Sequence, residues 1–161
     1  LRIVDVVTNH GFEPAPHRLL WHVDFGWPLV DDATRLRLPA EMNGTTRAVG
    51  PLGPPVEGRP EEVAVLRPAA DERGRAEACI VNPDLGVGAR VRWRADAMPA
   101  FLLWTHLRSG AYAVGFEPST HAIGDASGPH GELPPGEARR YELELEAADG
   151  DAAHAWIEDG V

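Results

Sequence analysis

The sequence predicts a mainly β protein in which antiparallel strands pack as a sandwich of large sheets. Three observations predict this fold class. Short apolar runs recur between turn residues, two of the runs alternate cleanly between apolar and charged residues, and helix-forming segments are few. Strands with one apolar face bury it by packing sheet against sheet.

Eight segments are predicted strands because each combines β-branched, aromatic or leucine residues with turn residues at its ends. They span residues 2–9, 18–25, 62–68, 77–82, 88–96, 100–107, 112–118 and 140–147. In the seventh segment, Tyr112, Val114 and Phe116 alternate with smaller residues. Pro118 is expected to end regular pairing just after Glu117.

Two of these strands carry opposite charges on their polar faces. Residues 90–94 (RVRWR) alternate arginine with Val91 and Trp93, and residues 141–146 (YELELE) alternate glutamate with tyrosine and leucine. Each pattern predicts one buried and one solvated face, which is typical of antiparallel sheets. The arginine and glutamate faces could pair as neighbouring strands.

The segments between the strands are predicted as loops. Residues 50–60 are dense in glycine and proline and favour a long connection inside one domain. Pro60 and Pro68 bracket a short run of helix formers, for which a brief helix remains an alternative to a strand or an irregular crossing.

The charge balance limits the partners. The chain has 161 residues, with 15 basic and 25 acidic side chains and a formal net charge of -10. This balance argues against nucleic acid or an anionic membrane as the main partner.

The sequence contains no lysine, so Schiff-base chemistry is excluded. No apolar run reaches the about 18 residues that span a bilayer and no signal-peptide pattern is present, so a cytoplasmic location is expected.

The single cysteine, Cys79, lies in an apolar run and is predicted to be buried and inert.

The length of the chain fits one domain. Because the chain begins inside a strand-like run without an initiator methionine, residues 1–161 are expected to form a single domain that is part of a longer protein. No pattern predicts an oligomeric state.

Histidine spacing argues against a metal site. His10, His17 and His22 lie near one another, but no pair has the i, i+2 strand spacing or the i, i+4 helix spacing that converges two imidazoles on one ion. No metal or other cofactor is therefore expected.

His22 and Glu117 are candidate functional residues. His22 shares a predicted strand face with Asp24, and it is either a hydrogen-bonded core histidine or a group that projects into a cleft. Glu117 lies between Phe116 and Pro118. It is either a charge at the rim or a buried carboxylate whose raised pKa makes it a proton acceptor near neutral pH. Residue chemistry leaves both pairs of alternatives open.

Three blocks of the sequence resemble the C-terminal half of the aldose 1-epimerase-like proteins, and in particular the uncharacterised branch called DUF4432. The blocks are VVTNHGFEPAPHRLLWHVDFGWPLVDDATRL, MPAFLLWTHLRSGAYAVGFEPST and GELPPGEARRYELELE. The segments WHVDFGWPL and GFEPS are the most specific parts of a resemblance that covers about residues 4–146. It implies an antiparallel, galactose mutarotase-like β-supersandwich, of which residues 1–161 are the C-terminal portion.

The resemblance implies roles for individual residues. In the epimerases a histidine on a central strand is the general acid and a glutamate on a late strand is the general base, and the residues at these positions are His22 and Glu117. A further active-site histidine and an arginine of the family come from the N-terminal half, which this chain lacks.

Sugar contacts are implied for Asp24, Trp104 and His106. Asn9 also resembles a family position, although a role in a turn is equally open. Trp104 and Trp27 are aromatic side chains that could stack on the C–H faces of a sugar and exclude water.

The implied function is interconversion of the anomers of an aldose or a related sugar by acid–base ring opening. Two other functions remain open. One is a carbohydrate-binding or sugar-sensing domain that keeps the cleft without turnover. The other is a metal-dependent sugar isomerase that uses His17, His22 and Glu117.

Overall fold

The computed structural model of the protein describes residues 1–42, 45–122 and 131–158, with the backbone alone for 40–42 and 45–48. The elements in chain order are β1 (Arg2–Thr8), β2 (Ala15–Pro16), β3 (Val23–Phe25), β4 (Arg35–Met42), β5 (Thr45–Val49), β6 (Glu62–Leu66), β7 (Arg75–Asn82), β8 (Val87–Arg94), β9 (Ala100–Arg108), β10 (Ala111–Ser119), β11 (Glu132–Leu133), β12 (Ala138–Asp149) and α1 (Gly150–Glu158).

The strands form two large sheets that face each other. One sheet has the order β1-β12-β8-β7-β4-β5 and the other the order β3-β10-β9-β6. β2 and β11 form a small separate ladder. Neighbouring strands in both large sheets run antiparallel, which confirms the predicted fold class.

A column of aromatic rings joins the two sheets at the centre of the core. Trp93 of β8 stacks on Phe101 of β9, with 5.3 Å between ring centroids and 11° between ring planes. Phe116 of β10 meets Phe101 edge-on at 5.5 Å and Phe25 of β3 at 5.2 Å. Alternate residues of a strand point to opposite faces of the sheet. The residues next to these inward-facing aromatic residues therefore point to the outer face.

The arginine and glutamate faces, which the sequence allowed to pair, do lie on neighbouring strands. β8 lies beside β12, with Arg92 opposite Glu144 and Arg90 opposite Glu146. The Nη2 atoms of both arginines lie 2.6 Å from Glu146 Oε2. The apolar residues that alternate with these charged residues along the two strands fill the core, and Trp93 is 2% exposed.

The second predicted strand, 18–25, is wrong in extent, because only its last three residues form β3. An isolated bridge nevertheless joins Leu20 to Ser119 in the register of the β3–β10 ladder. The residue opposite Trp21 in this register is Pro118, which has no N–H to donate, so the ladder is interrupted there. Pro118 does not end β10, which continues beside β9 to Ser119.

The predicted segment 62–68 forms a strand rather than a helix over its first five residues, since β6 (Glu62–Leu66) pairs with β9. Four strands were not predicted: the short β2 and β11, and β4 and β5 of the six-stranded sheet. β4 contains Pro39, which lowers the strand signal of the run. The β4–β5 register shifts between Leu38 and Glu41, and this irregularity accommodates the proline within the pair.

The unpredicted helix α1 covers part of the outer face of the six-stranded sheet. Ala153 and Trp156, three residues apart, pack on Cys79 and Val81. Cys79 is fully buried as predicted, and burial raises the pKa of its thiol to about 12. Among the described residues, no helix has the length and hydropathy to cross a membrane.

The aromatic column predicts a large effect of one substitution. Phe101 is 0% exposed, so Phe101→Ala should lower the free energy of unfolding by about 3–5 kcal/mol through lost transfer energy and the cavity left behind. The control is Leu85→Ala at a site that is 53% exposed, for which a change within about 0.5 kcal/mol is expected. Urea unfolding of the full-length protein measures both, and equal losses in the two variants would contradict the assigned core.

Candidate functional site

The β3–β10 register brings two predicted site residues together on the outer face of the four-stranded sheet. Val23 lies opposite Phe116, and both side chains belong to the core. His22 precedes Val23 and Glu117 follows Phe116. Both side chains therefore point to the opposite, outer face of the sheet. Cβ atoms of directly opposed residues are about 4.5–5.5 Å apart, so such side chains can touch.

His22 lies between two carboxylates. Its Nε2 is 3.0 Å from Glu117 Oε1, and its Nδ1 is 2.8 Å from Asp24 Oδ1. An imidazolium donates to both carboxylates, whereas a neutral imidazole accepts at Nε2 from a protonated Glu117. The pair can therefore hold one proton on either side of the contact between Nε2 and Oε1.

Glu117 is buried, while the two groups beside it remain accessible. The Glu117 side chain is 8% exposed, compared with 46% for His22 and 58% for Asp24. Burial raises the pKa of the Glu117 carboxyl above its ordinary value, the neighbouring His22 opposes the shift, and Asp24 adds to it. Glu117 is therefore a buried, desolvated carboxylate and not an exposed charge at the rim of the site.

Trp104 and His106 extend the same face along β9. Trp104 lies opposite Gly115 of β10, and its ring is 5.7 Å from the His22 ring in an edge-on arrangement. The His106 ring, two residues along β9, is also 5.7 Å from the Trp104 ring. The indole is therefore a neighbour of both histidines.

Sequence reasoning missed two residues of this group. Glu61 precedes β6 and accepts a hydrogen bond from Trp104 Nε1 at 3.1 Å. Gly115 lies beneath the group: a Cβ there would be 3.1 Å from Asp24 Oδ1 and 3.2 Å from both the His22 and Trp104 rings. Alternation along the strand placed Gly115 on the face of Glu117, and this signal could have found it.

Trp27 and Asn9 lie apart from these contacts. Trp27 follows β3 and is 84% exposed. Asn9 is buried, its Nδ2 donates to the carbonyl oxygens of Glu13 and Leu133, and its Oδ1 accepts from Gly11 N–H. These bonds favour the turn role for Asn9, and a sugar contact of either residue stays a prediction.

The described residues contain no cluster of three or more His, Cys, Asp or Glu side chains that could hold a metal ion. His17, one of the residues considered for such a site, is buried, and its Nε2 is 2.7 Å from the Tyr141 hydroxyl.

Solved structures share this fold at low sequence identity. A candidate aldose 1-epimerase from Klebsiella pneumoniae is 23% identical, with a TM-score of 0.83 over 98% of this chain and 45% of its own. A candidate aldose 1-epimerase from Escherichia coli K12 is 17% identical, with a TM-score of 0.62 over 92% of this chain and 56% of its own.

A galactose mutarotase-related enzyme from Lactobacillus acidophilus is 14% identical, with a TM-score of 0.59 over 93% of this chain and 58% of its own. The chain thus spans about half the length of the solved structures it matches. These likenesses establish a galactose mutarotase-like fold.

No curated protein matches the sequence significantly. The model of one family, described as a domain of unknown function, matches residues 1–147. The chain therefore belongs to the DUF4432 family.

Proposed function

We propose that this protein interconverts the anomers of an aldose by acid–base catalysis, with His22 as the general acid and Glu117 as the general base. The observation that carries the proposal is the 3.0 Å contact between His22 Nε2 and Glu117 Oε1 on one accessible sheet face. A positioned acid and a base of raised pKa are what proton transfer near neutral pH requires.

The reaction needs its acid and base close together, because the anomeric hydroxyl and the ring oxygen are bonded to the same carbon. Glu117 accepts the proton of the anomeric hydroxyl while His22 donates a proton to the ring oxygen. The bond between C1 and the ring oxygen breaks, and the sugar opens to the aldehyde. After rotation about C1–C2 the ring closes on the other face, and the two proton transfers reverse, which restores both residues.

Asp24 supports the acid. Its Oδ1 holds His22 through Nδ1, which fixes the orientation of the ring and directs Nε2 at the substrate. The second oxygen of Asp24 is free in this proposal to accept from a sugar hydroxyl, the contact expected from the sequence. Trp104 offers an apolar surface beside the reacting groups, suited to the C–H face of a sugar.

We also propose that residues 1–161 are the C-terminal portion of a larger domain. The length of the matched structures supports this proposal, since the chain covers 45–58% of the three described above. Groups outside this sequence would then complete the sugar site, so activity is best tested on the full-length protein.

Substitution of the base tests the proposed chemistry. Glu117→Gln keeps the shape and removes the proton acceptor, so enzyme-dependent anomer exchange should fall by about 10²–10⁴-fold. Exchange between α and β anomers is followed by NMR magnetisation transfer on the full-length protein. Glu57→Gln, at an exposed loop carboxylate, removes the same charge and should leave the rate unchanged.

Unchanged exchange in Glu117→Gln would contradict the catalytic assignment. If the unmodified protein binds the sugar without accelerating exchange, the protein is a sugar-binding domain instead. Loss of exchange on chelation, restored by added metal, would support the metal-dependent function.

The burial of Glu117 predicts how kcat/KM changes on the acid side of its pH profile. Because burial raises the pKa of Glu117, the carboxyl keeps its proton to higher pH than an ordinary glutamate at about 4.3. A protonated base cannot accept, so kcat/KM should rise with pH through a midpoint above that value. Stopped-flow polarimetry, corrected for spontaneous mutarotation, measures it. A rate independent of pH down to about 4.3 would contradict the role.

Asp24 is expected to act through orientation rather than charge. Asp24→Asn keeps an oxygen acceptor for His22 Nδ1–H and should change kcat by less than about tenfold, whereas Asp24→Ala frees the ring and should cost about 10²-fold. The same exchange assay measures both variants. Equal losses in the two would show that the negative charge matters, and no loss in Asp24→Ala would remove Asp24 from the mechanism.

A further inference from the structure

A second histidine–carboxylate pair lies on the same sheet face as His22 and Glu117. Glu61 Oε2 accepts from Trp104 Nε1 at 3.1 Å, and Glu61 Oε1 is 3.6 Å from His106 Nδ1. The Glu61 side chain is 59% exposed and His106 is 16% exposed. Glu61 therefore holds Trp104 by a hydrogen bond, lies close to His106 and still presents its carboxylate to solvent.

Trp104 connects the two pairs. Its ring is a neighbour of both the His22 ring and the His106 ring, each at 5.7 Å between centroids. A sugar whose anomeric carbon lies at His22 and Glu117, and whose ring lies over Trp104, directs its remote end at Glu61. This orientation rests on the proposed function.

The charges on this face disfavour an anion at that remote end. Among the described residues, no arginine forms an ion pair with Glu61, Asp24 or Glu117. The nearby Arg59 is directed at Glu62, with Nη2 3.2 Å from Oε2. His106 Nδ1 faces the Glu61 carboxylate at 3.6 Å. A phosphate placed beside Glu61 would meet a like charge.

We propose that Glu61 is a specificity-determining residue that admits aldoses with an uncharged or cationic remote end and excludes sugar phosphates. The carboxylate does so in two ways. It accepts hydrogen bonds from the remote hydroxyl or amino group of the sugar, and it repels a phosphate. Its hydrogen bond to Trp104 keeps the indole in place for either ligand.

The test compares three matched probes: D-glucose, D-glucose 6-phosphate and 6-amino-6-deoxy-D-glucose, together with the same series in the galacto configuration. Dissociation constants come from calorimetry on the full-length protein, and anomer exchange is measured on the same samples. Glu61→Gln keeps an acceptor for Trp104 and removes the charge. Glu57→Gln is the control, because it removes the same charge from an exposed loop carboxylate and leaves the ion pair between Arg59 and Glu62 in place.

The expected result is a preference of the unmodified protein for the neutral or amino sugar over the phosphate by about tenfold or more, equivalent to 1.4 kcal/mol. The preference should fall by about tenfold in Glu61→Gln and stay unchanged in Glu57→Gln. Phosphate binding as tight as that of the neutral sugar, or an unchanged preference in Glu61→Gln, would overturn the proposal while leaving acid–base catalysis intact. If the protein discriminates between the neutral sugar and the phosphate without accelerating anomer exchange, the role of Glu61 in specificity is supported and the catalytic function is contradicted. If none of the probes binds, both the role of Glu61 and the catalytic function are overturned.

Discussion

The register between β3 and β10 is the constraint on which the site depends. Val23 and Phe116 are opposed and enter the core, so the residues next to them, His22 and Glu117, must meet on the outer face. A shift of one residue would turn these polar groups into the core and the apolar groups out of it. Packing of the aromatic column therefore fixes the contact between the imidazole and the carboxylate.

The same arrangement sets the electrostatics. Glu117 is withdrawn from water near the centre of a sheet face, while His22 and Asp24 are close to half exposed or more. The buried carboxylate takes up a proton more readily because its pKa is raised, and the exposed imidazole can reach a ligand. The lack of a side chain at Gly115 lets these groups and Trp104 lie close to the backbone of β10.

Local patterns predicted much of this fold and part of the site. Alternation in β8 and β12 predicted two strands with one buried face each and left their pairing as a possibility, and resemblance to a family singled out His22 and Glu117. Residue chemistry could not decide whether Glu117 was buried, because burial depends on the neighbouring strands that cover it. Glu61 was missed because its contacts to Trp104 and His106 cross from β6 to β9, which are far apart in sequence.

In the proposed mechanism, His22 and Glu117 act together on one anomeric carbon. The most direct measurement is a crystal structure of the full-length protein with a bound aldose. In that structure, His22 Nε2 and Glu117 Oε1 should each lie about 2.6–3.2 Å from one of the two oxygens on the anomeric carbon. A sugar bound with its anomeric carbon away from either side chain, or His22 and Glu117 turned to different faces of the sheet, would contradict the mechanism.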